Sequence, residues 1–148
     1  MIDHAVSALS PLDGRYAAKL ATLRPLLSEQ GFMHRRVQVE VTWLLALSDS
    51  GMPEFKPFSL AAREFLRQLV VNFSAHDAVA IKDIEKTTNH DVKAVEYWLK
   101  AQCQRGDLSE ALKKELGASL EFIHFACTSE DINNTSHALQ LKAARGQV

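Results

Sequence analysis

Apolar residues recur at helical spacing along most of this 148-residue chain. The clearest helix follows Ser28 and ends in the serine-rich turn before Gly51, with Pro53 just beyond it. A second helix begins after Ser59, and its apolar side chains share one face. Strand-like alternation is scarce, so the sequence predicts an all-α protein. The apolar positions of the first helix are Phe32, Met33, Val37, Val41, Leu44, Leu45 and Leu47.

Later helix starts are marked by capping residues. Ser74 and Asp77 stand three residues apart, as do Thr128 and Asp131, and both pairs resemble capping boxes. Between these two starts, Asp91 is the predicted cap of a further helix. These caps therefore predict three helix starts, after Ser74, at Asp91 and after Thr128.

The last third of the chain is less regular. Residues 108–116 predict a short helix that Gly117 ends, and the apolar run over residues 120–125 fits either a strand or a buried turn. The helix that begins after Thr128 has no stop signal before Val148. We expect it to run to the end of the chain and to continue in a longer parent protein.

The amino-acid composition and net charge indicate a globular protein and argue against two other classes. Hydrophobic residues make up 47% and charged residues 24% of the chain, which is typical of a globular domain. The formal net charge of −1 and the lack of a Lys/Arg run argue against a nucleic-acid-binding helix-turn-helix protein. We interpret the Arg35–Arg36 pair as two surface or ligand-facing positions. No apolar run approaches the ~20 residues that span a bilayer, so we expect no membrane partner.

The N-terminus and the cysteines indicate the cellular compartment of the protein. Residues 1–4 lack the charged and apolar regions of a signal peptide. Cys103 and Cys127 are isolated, which is typical of reduced, buried thiols in a cytosolic protein. We therefore predict a cytoplasmic location.

Three polar segments interrupt the helices, and the first covers residues 10–16. Pro11, Asp13 and Gly14 favour a turn that presents Arg15 and Tyr16 together. The Arg15 guanidinium offers a rigid donor fork for phosphate or carboxylate, and Tyr16 adds a hydroxyl and a flat ring. The alternative is a surface turn with a solvated arginine.

The second polar segment, residues 86–94, lies at a helix junction. Backbone N–H groups at such a junction are unsatisfied, and the helix dipole favours an anion there. His90 is the side chain in this segment that can exchange a proton near neutral pH. The alternative is that Asn89 and Asp91 merely cap a helix while His90 satisfies a buried carbonyl.

The third polar segment, residues 127–134, opens the last helix. The hydroxyls of Thr128 and Ser129, with the following amides, could donate to a bound carboxylate or phosphate. The alternative is a plain capping box. The six histidines lack metal-ligand spacing, and no phosphate loop or serine-hydrolase elbow occurs, so we expect no metal and no cofactor.

These three segments resemble one known family. Residues 10–16, 87–97 and 122–134 are similar, in the same order, to the adenylosuccinate lyase family in its longer bacterial form, within the fumarase/aspartase superfamily. The resemblance covers essentially the whole chain, and residues 90–94 distinguish it from fumarase and argininosuccinate lyase. It implies a helical N-terminal domain over residues 1–117 and, over residues 118–148, the start of a central helical bundle in a homotetramer.

The resemblance also implies an activity and a set of site residues. Adenylosuccinate would lose fumarate by β-elimination to give AMP, and the succinylaminoimidazole carboxamide ribotide of purine biosynthesis would react likewise, with no metal. The substrate-binding residues implied are Arg15, Tyr16, Asn89, His90, Asp91, Thr128 and Ser129. His90 would support catalysis, while Lys93, His124 (near the phosphate) and Arg24 are further candidates.

Part of the family's machinery has no counterpart here. The general acid histidine and the base serine of the family lie in segments that the resemblance places beyond residue 148. We therefore predict that the isolated chain does not catalyse elimination. Two alternatives stay open: another fumarate-releasing lyase of the superfamily, and a helical nucleotide-binding or interaction module without catalysis.

Overall fold

The computed structural model describes residues 4–148, and all regular structure in that range is helical, which confirms the all-α prediction. No helix of this described part is long and apolar enough to cross a membrane. The elements in chain order are α1 (His4–Ser7), a 3-10 helix (Ala17–Leu20), α2 (Arg24–Leu27), α3 (Glu29–Ser48), α4 (Leu60–Val71), α5 (Ala75–Thr88), α6 (Asp91–Cys103), α7 (Glu110–Gly117), a second 3-10 helix (Leu120–Phe122) and α8 (Ser129–Arg145).

Most helix starts follow the predicted capping chemistry. The Ser28 hydroxyl accepts a hydrogen bond from the Gly31 N–H at 3.3 Å, and Ser59 caps α4 in the same way. Ser74 and Asp77 form the predicted capping box at the start of α5. Each cap satisfies an amide that the first turn leaves without a partner, so a local signal was sufficient to place these boundaries.

The short helices α1 and α2 were not predicted, because four residues show no periodicity. For the apolar run at 120–125, the turn and not the strand is the correct alternative: a 3-10 helix over Leu120–Phe122 is followed by a turn. The last helix was predicted to reach Val148, but α8 ends at Arg145, where the Gly146 N–H bonds the Ala143 carbonyl in a tighter turn.

Helix α3 lies at the centre of the molecule and contributes to two interfaces. Its buried apolar residues, including Val37 and Leu44, pack with α4, α5 and α6 to form the main core. Helix α8 runs antiparallel along α3, as shown by two hydrogen bonds: Trp43 Nε1 donates to the Phe125 carbonyl at 2.7 Å, and Gln140 donates to the Leu26 carbonyl at 2.8 Å. This packing brings the start of α8 beside the start of α6.

Candidate active site

The second polar segment forms a tight corner between α5 and α6. Asn89 adopts a left-handed conformation with φ 50° and closes α5 through its backbone N–H to the Glu85 carbonyl. His90 is the N-cap of α6, and its Nδ1 accepts a hydrogen bond from the Lys93 N–H at 3.1 Å. The prediction that Asp91 caps this helix is therefore wrong. Asp91 is the first helical residue, because the extended backbone of His90 lets its ring reach the orphan amide.

This cap determines which ring nitrogen of His90 carries the proton. A nitrogen that accepts a hydrogen bond has no proton, so the proton of the neutral ring is on Nε2. Nε2 lies 3.5 Å from Ser129 Oγ, the first residue of α8. Among the described residues, neither ring nitrogen bonds a carbonyl, which removes the alternative role for His90. The second and third polar segments therefore meet, with a hydroxyl and an imidazole N–H at two helix starts.

The third polar segment forms the predicted capping box of α8. Asp131 accepts hydrogen bonds from the Thr128 N–H at 2.8 Å and the Thr128 hydroxyl at 3.0 Å. These bonds hold the pKa of Asp131 below its usual value. Because the Thr128 hydroxyl proton is used inside the helix start, Ser129 is the hydroxyl that faces His90.

A buried arginine that the sequence analysis assigned to the surface joins these two helix starts. Arg36 is only 5% exposed on α3, and its guanidinium forms an ion pair with Asp91. Its Nε also donates to Asn133 Oδ1 on α8 at 2.9 Å. The interpretation of Arg36 as a surface or ligand-facing residue is wrong. The signal was present, since position 36 falls on the same helical face as Met33, Val37 and Glu40, all of which are buried.

Asp91 uses both carboxylate oxygens within the protein. Oδ2 bonds Arg36, and Oδ1 accepts from the Val92 N–H at 2.8 Å. Partial burial opposes ionisation, but these two donors hold the pKa of Asp91 below its usual value. Asp91 therefore fixes the corner that carries His90, while its predicted contact with substrate stays a prediction.

The first polar segment forms the predicted turn, but at a separate place. The Arg15 guanidinium lies over the Tyr16 ring at 4.7 Å, and both residues are exposed. Arg24 forms an ion pair with Asp13 at 3.5 Å. Within residues 4–148, no hydrogen bond or ion pair links Arg15 or Tyr16 to the other two segments. One chain thus brings together two of the three segments.

The two further candidates, Lys93 and His124, have defined partners. Lys93 Nζ bonds the buried Glu96 carboxylate at 2.7 Å, and that hydrogen bond raises the pKa of the Lys93 ammonium. His124 has a positive φ of 64°, and its Nδ1 lies 2.6 Å from Oε1 of the buried Glu40. The Lys93–Glu96 pair is three residues apart on one helix and was visible in the sequence, whereas His124 and Glu40 are 84 residues apart and no local pattern could pair them.

The two cysteines differ in burial, and the described residues form no metal site. Cys103 is fully buried, and burial raises the pKa of its thiol to about 12. Cys127 is only half-buried, so the prediction of two buried thiols is correct for Cys103 alone. Over residues 4–148, no three His, Cys, Asp or Glu side chains group as a metal site would require.

Known proteins match this chain along almost its entire length. Adenylosuccinate lyase of Haemophilus influenzae is 55% identical over 144 residues, which cover 97% of this chain and 30% of that protein. The adenylosuccinate lyases of Vibrio cholerae and Escherichia coli K12 are each 52% identical over 145 residues, again 97% of this chain and 30% of theirs. The chain thus spans about 30% of the length of the curated relatives it matches. A family model described as lyase matches residues 14–148, and the chain therefore belongs to this lyase family.

Proposed function

We propose that this chain provides part of the substrate site of an adenylosuccinate lyase. The reaction is the β-elimination of fumarate from adenylosuccinate, giving AMP, and from the succinylaminoimidazole carboxamide ribotide of purine biosynthesis. The observation that carries the proposal is the meeting of His90 Nε2 and Ser129 Oγ at the starts of α6 and α8. The identity of the chain to enzymes named adenylosuccinate lyase supports the choice of substrate.

The electrostatics of this meeting point suit such an elimination. A base removes a proton from the carbon beside a carboxylate, the C–N bond breaks, and an acid protonates the leaving nitrogen. Negative charge increases on that carboxylate before the C–N bond breaks. Donors fixed in advance around the carboxylate stabilise this charge. The Ser129 hydroxyl, the N–H at Nε2 of His90 and the first amides of α8 are donors of this kind.

Each candidate residue has a proposed role. Ser129 binds the succinyl carboxylate, Thr128 holds the start of α8 in place through its bonds to Asp131, and His90 donates to the substrate beside them. Asn89 and Asp91 form the corner that holds His90. Arg15 and Tyr16 bind the nucleotide, and Lys93 and His124 assist.

The separation of the first polar segment has a consequence for assembly. Because Arg15 and Tyr16 make no bond to the other two segments in the described chain, we propose that a neighbouring copy supplies them to each site. This agrees with a homotetramer whose central bundle begins at residues 118–148, after a helical domain over residues 1–117. The full-length protein would be a cytoplasmic enzyme that needs no cofactor and binds neither nucleic acid nor membranes.

A chimera tests the proposed function. The matching 144-residue segment of the Haemophilus influenzae enzyme is replaced by this chain, so that the remaining 70% supplies the rest of the protein. In this chimera His90→Asn keeps a good N-cap but removes the Nε2 donor. Loss of a hydrogen bond to a charged group predicts a fall in kcat/KM of about 10- to 150-fold. The matched control, His76→Asn, changes an exposed histidine on α5 and should leave kcat/KM within about twofold.

The outcomes separate the proposal from its alternatives. A chimera that turns over adenylosuccinate, loses activity with His90→Asn and is unaffected by His76→Asn supports it. Preference for argininosuccinate over adenylosuccinate in a side-by-side assay would favour another lyase of the superfamily. Nucleotide binding without turnover would favour a non-catalytic module, and equal activity of both histidine variants would refute the role of His90.

A further inference from the structure

Glu40, a buried residue without a role in the proposed function, forms a hydrogen-bonded pair with His124. Glu40 lies on α3 and is 1% exposed, and its Oε1 is 2.6 Å from Nδ1 of His124. The other oxygen, Oε2, is buried and has no hydrogen-bond partner among the described residues. His124 itself is only partly covered, with 20% of its side chain exposed. A carboxylate with one oxygen unsatisfied is thus held in the core by a single histidine.

The backbone around His124 is arranged to make this contact. His124 and Ala126 both have positive φ, at 64° and 59°, although neither is a glycine. Such conformations persist where surrounding contacts impose them. Two contacts do so here: Trp43 Nε1 bonds the carbonyl of Phe125, the residue between them, and Glu40 bonds the His124 ring. Trp43 and Glu40, both on α3, therefore hold the turn around His124 in this conformation.

A hydrogen bond of this length between a carboxyl oxygen and a ring nitrogen requires one proton between them. That proton is either on Glu40, as a carboxylic acid, or on Nδ1 of His124. The pKa of imidazole is ordinarily about two units above that of a glutamate carboxyl, so the histidine is the stronger base. Burial raises the pKa of Glu40 and reduces this difference, while the bond from His124 acts in the opposite direction. Glu96, Asp131 and Cys127 are the other titratable groups near the pair.

We propose that Glu40 is a positioning residue that keeps the proton of His124 on Nδ1, so that Nε2 of the neutral ring has none. His90 is held in the opposite form, because its Nδ1 accepts the Lys93 N–H and its proton is on Nε2. The two histidines are therefore complementary: Nε2 of His90 donates, and Nε2 of His124 accepts. A catalytic role for these two tautomers rests on the proposed function, whereas the assignment of the tautomers rests on the hydrogen bonds alone.

Long-range proton–nitrogen NMR of the histidine-labelled chain tests the tautomers directly. His34 is an internal reference, since its Nε2 faces the Val70 carbonyl at 2.9 Å and must carry the proton. We expect His34 and His90 to be protonated at Nε2 and His124 at Nδ1. A proton on Nε2 of neutral His124 would place the shared proton on Glu40 and overturn the proposal, whatever the variants do.

Variants then identify the cause. Glu40→Leu removes the acceptor and should shift neutral His124 to the Nε2-protonated form that free histidine prefers, with His34 unchanged. Glu96→Gln is the matched control, because it neutralises a buried carboxylate that bonds Lys93 and Lys100 and, among the described residues, no histidine. His124 should stay protonated at Nδ1 in that variant. If Glu40→Leu loses helical structure, Glu40→Met replaces it, because Met keeps the length of the side chain without an oxygen acceptor. An unchanged His124 tautomer in the folded variant counts against Glu40.

Kinetics of the chimera test whether the arrangement serves the reaction. Groups that orient metal-binding histidines commonly contribute about 10- to 100-fold in activity, and we take the same range for Glu40. We expect Glu40→Gln to lower kcat by this amount and to alter its pH profile, while Glu64→Gln, an exposed change on α4, does neither. A merely structural role would lower thermal stability and leave the pH profile unchanged. If the tautomer changes but kcat does not, the catalytic use of His124 is refuted and the proposed function of His90 and Ser129 is untouched.

Discussion

Replacing Arg36 should loosen the corner that holds His90 and Ser129 together. Arg36→Met keeps the apolar stem of the side chain but removes every donor and the guanidinium, whose central carbon lies 4.0 Å from the centroid of the Phe32 ring. The lost hydrogen bond to Asn133 contributes about 1 kcal/mol. The ion pair with Asp91 adds less than the ~3–5 kcal/mol of a fully buried pair. The reason is that the Asp91 side chain is 44% exposed and water can solvate it once Arg36 is gone.

Together these terms predict a loss of about 2–3 kcal/mol in the free energy of unfolding. Urea unfolding of the chain followed by far-UV circular dichroism should show it as a fall in midpoint of about 1 M. Arg35→Met is the matched control, because within residues 4–148 the bond of Arg35 is to Gln38, one turn along the same helix, and its loss should cost under about 0.5 kcal/mol. Equal midpoints for the two variants would refute the role assigned to Arg36.

Three further predictions follow from the same contacts. Hydrogen-bond donors lower the pKa of Asp91 in the folded state, so the ionised carboxylate stabilises the fold above its ordinary pKa of about 3.9. The wild type should therefore be more stable than Asp91→Asn by a constant amount above about pH 5, and this difference should disappear as pH falls through the folded pKa. A difference that grows in acid would contradict this. With a disulfide reagent at pH 8, Cys127 should react slowly, since burial raises its pKa, and Cys103 should react only after unfolding in urea. The isolated chain should show no release of fumarate from adenylosuccinate in a spectrophotometric assay; turnover at the rate of the relatives would show that the other 70% of the relatives' length is not required.

Local sequence signals predicted the helices and most of their starts. The serine caps of α3, α4 and α5 depend on residues no more than three positions apart, so their chemistry is visible in any short window. The same local reasoning was wrong for α6, where it selected Asp91. It compared residue types at the cap and could not see that the extended backbone at His90 brings an imidazole to the same amide.

The candidate site was predictable as a set of polar segments, but its geometry was not. The sequence indicated the residue types of the second and third segments, including His90, Thr128 and Ser129. That His90 and Ser129 meet, while the first segment lies apart, depends on how α8 packs along α3. The same packing buries Arg36, whose place on the apolar face of α3 was the one sequence signal of its burial.

Sequence alone therefore determined the all-α class, the caps and the identity of the polar segments, because helices and their ends are stabilised by contacts within a turn or two. Tertiary structure alone decided the contacts that give the site its chemistry. Arg36 reaches Asn133 across 97 residues, Glu40 reaches His124 across 84, and Ser129 reaches His90 across 39. Contacts at such separations depend on where whole helices pack. No local pattern encodes the distance between two side chains that only a shared core brings together.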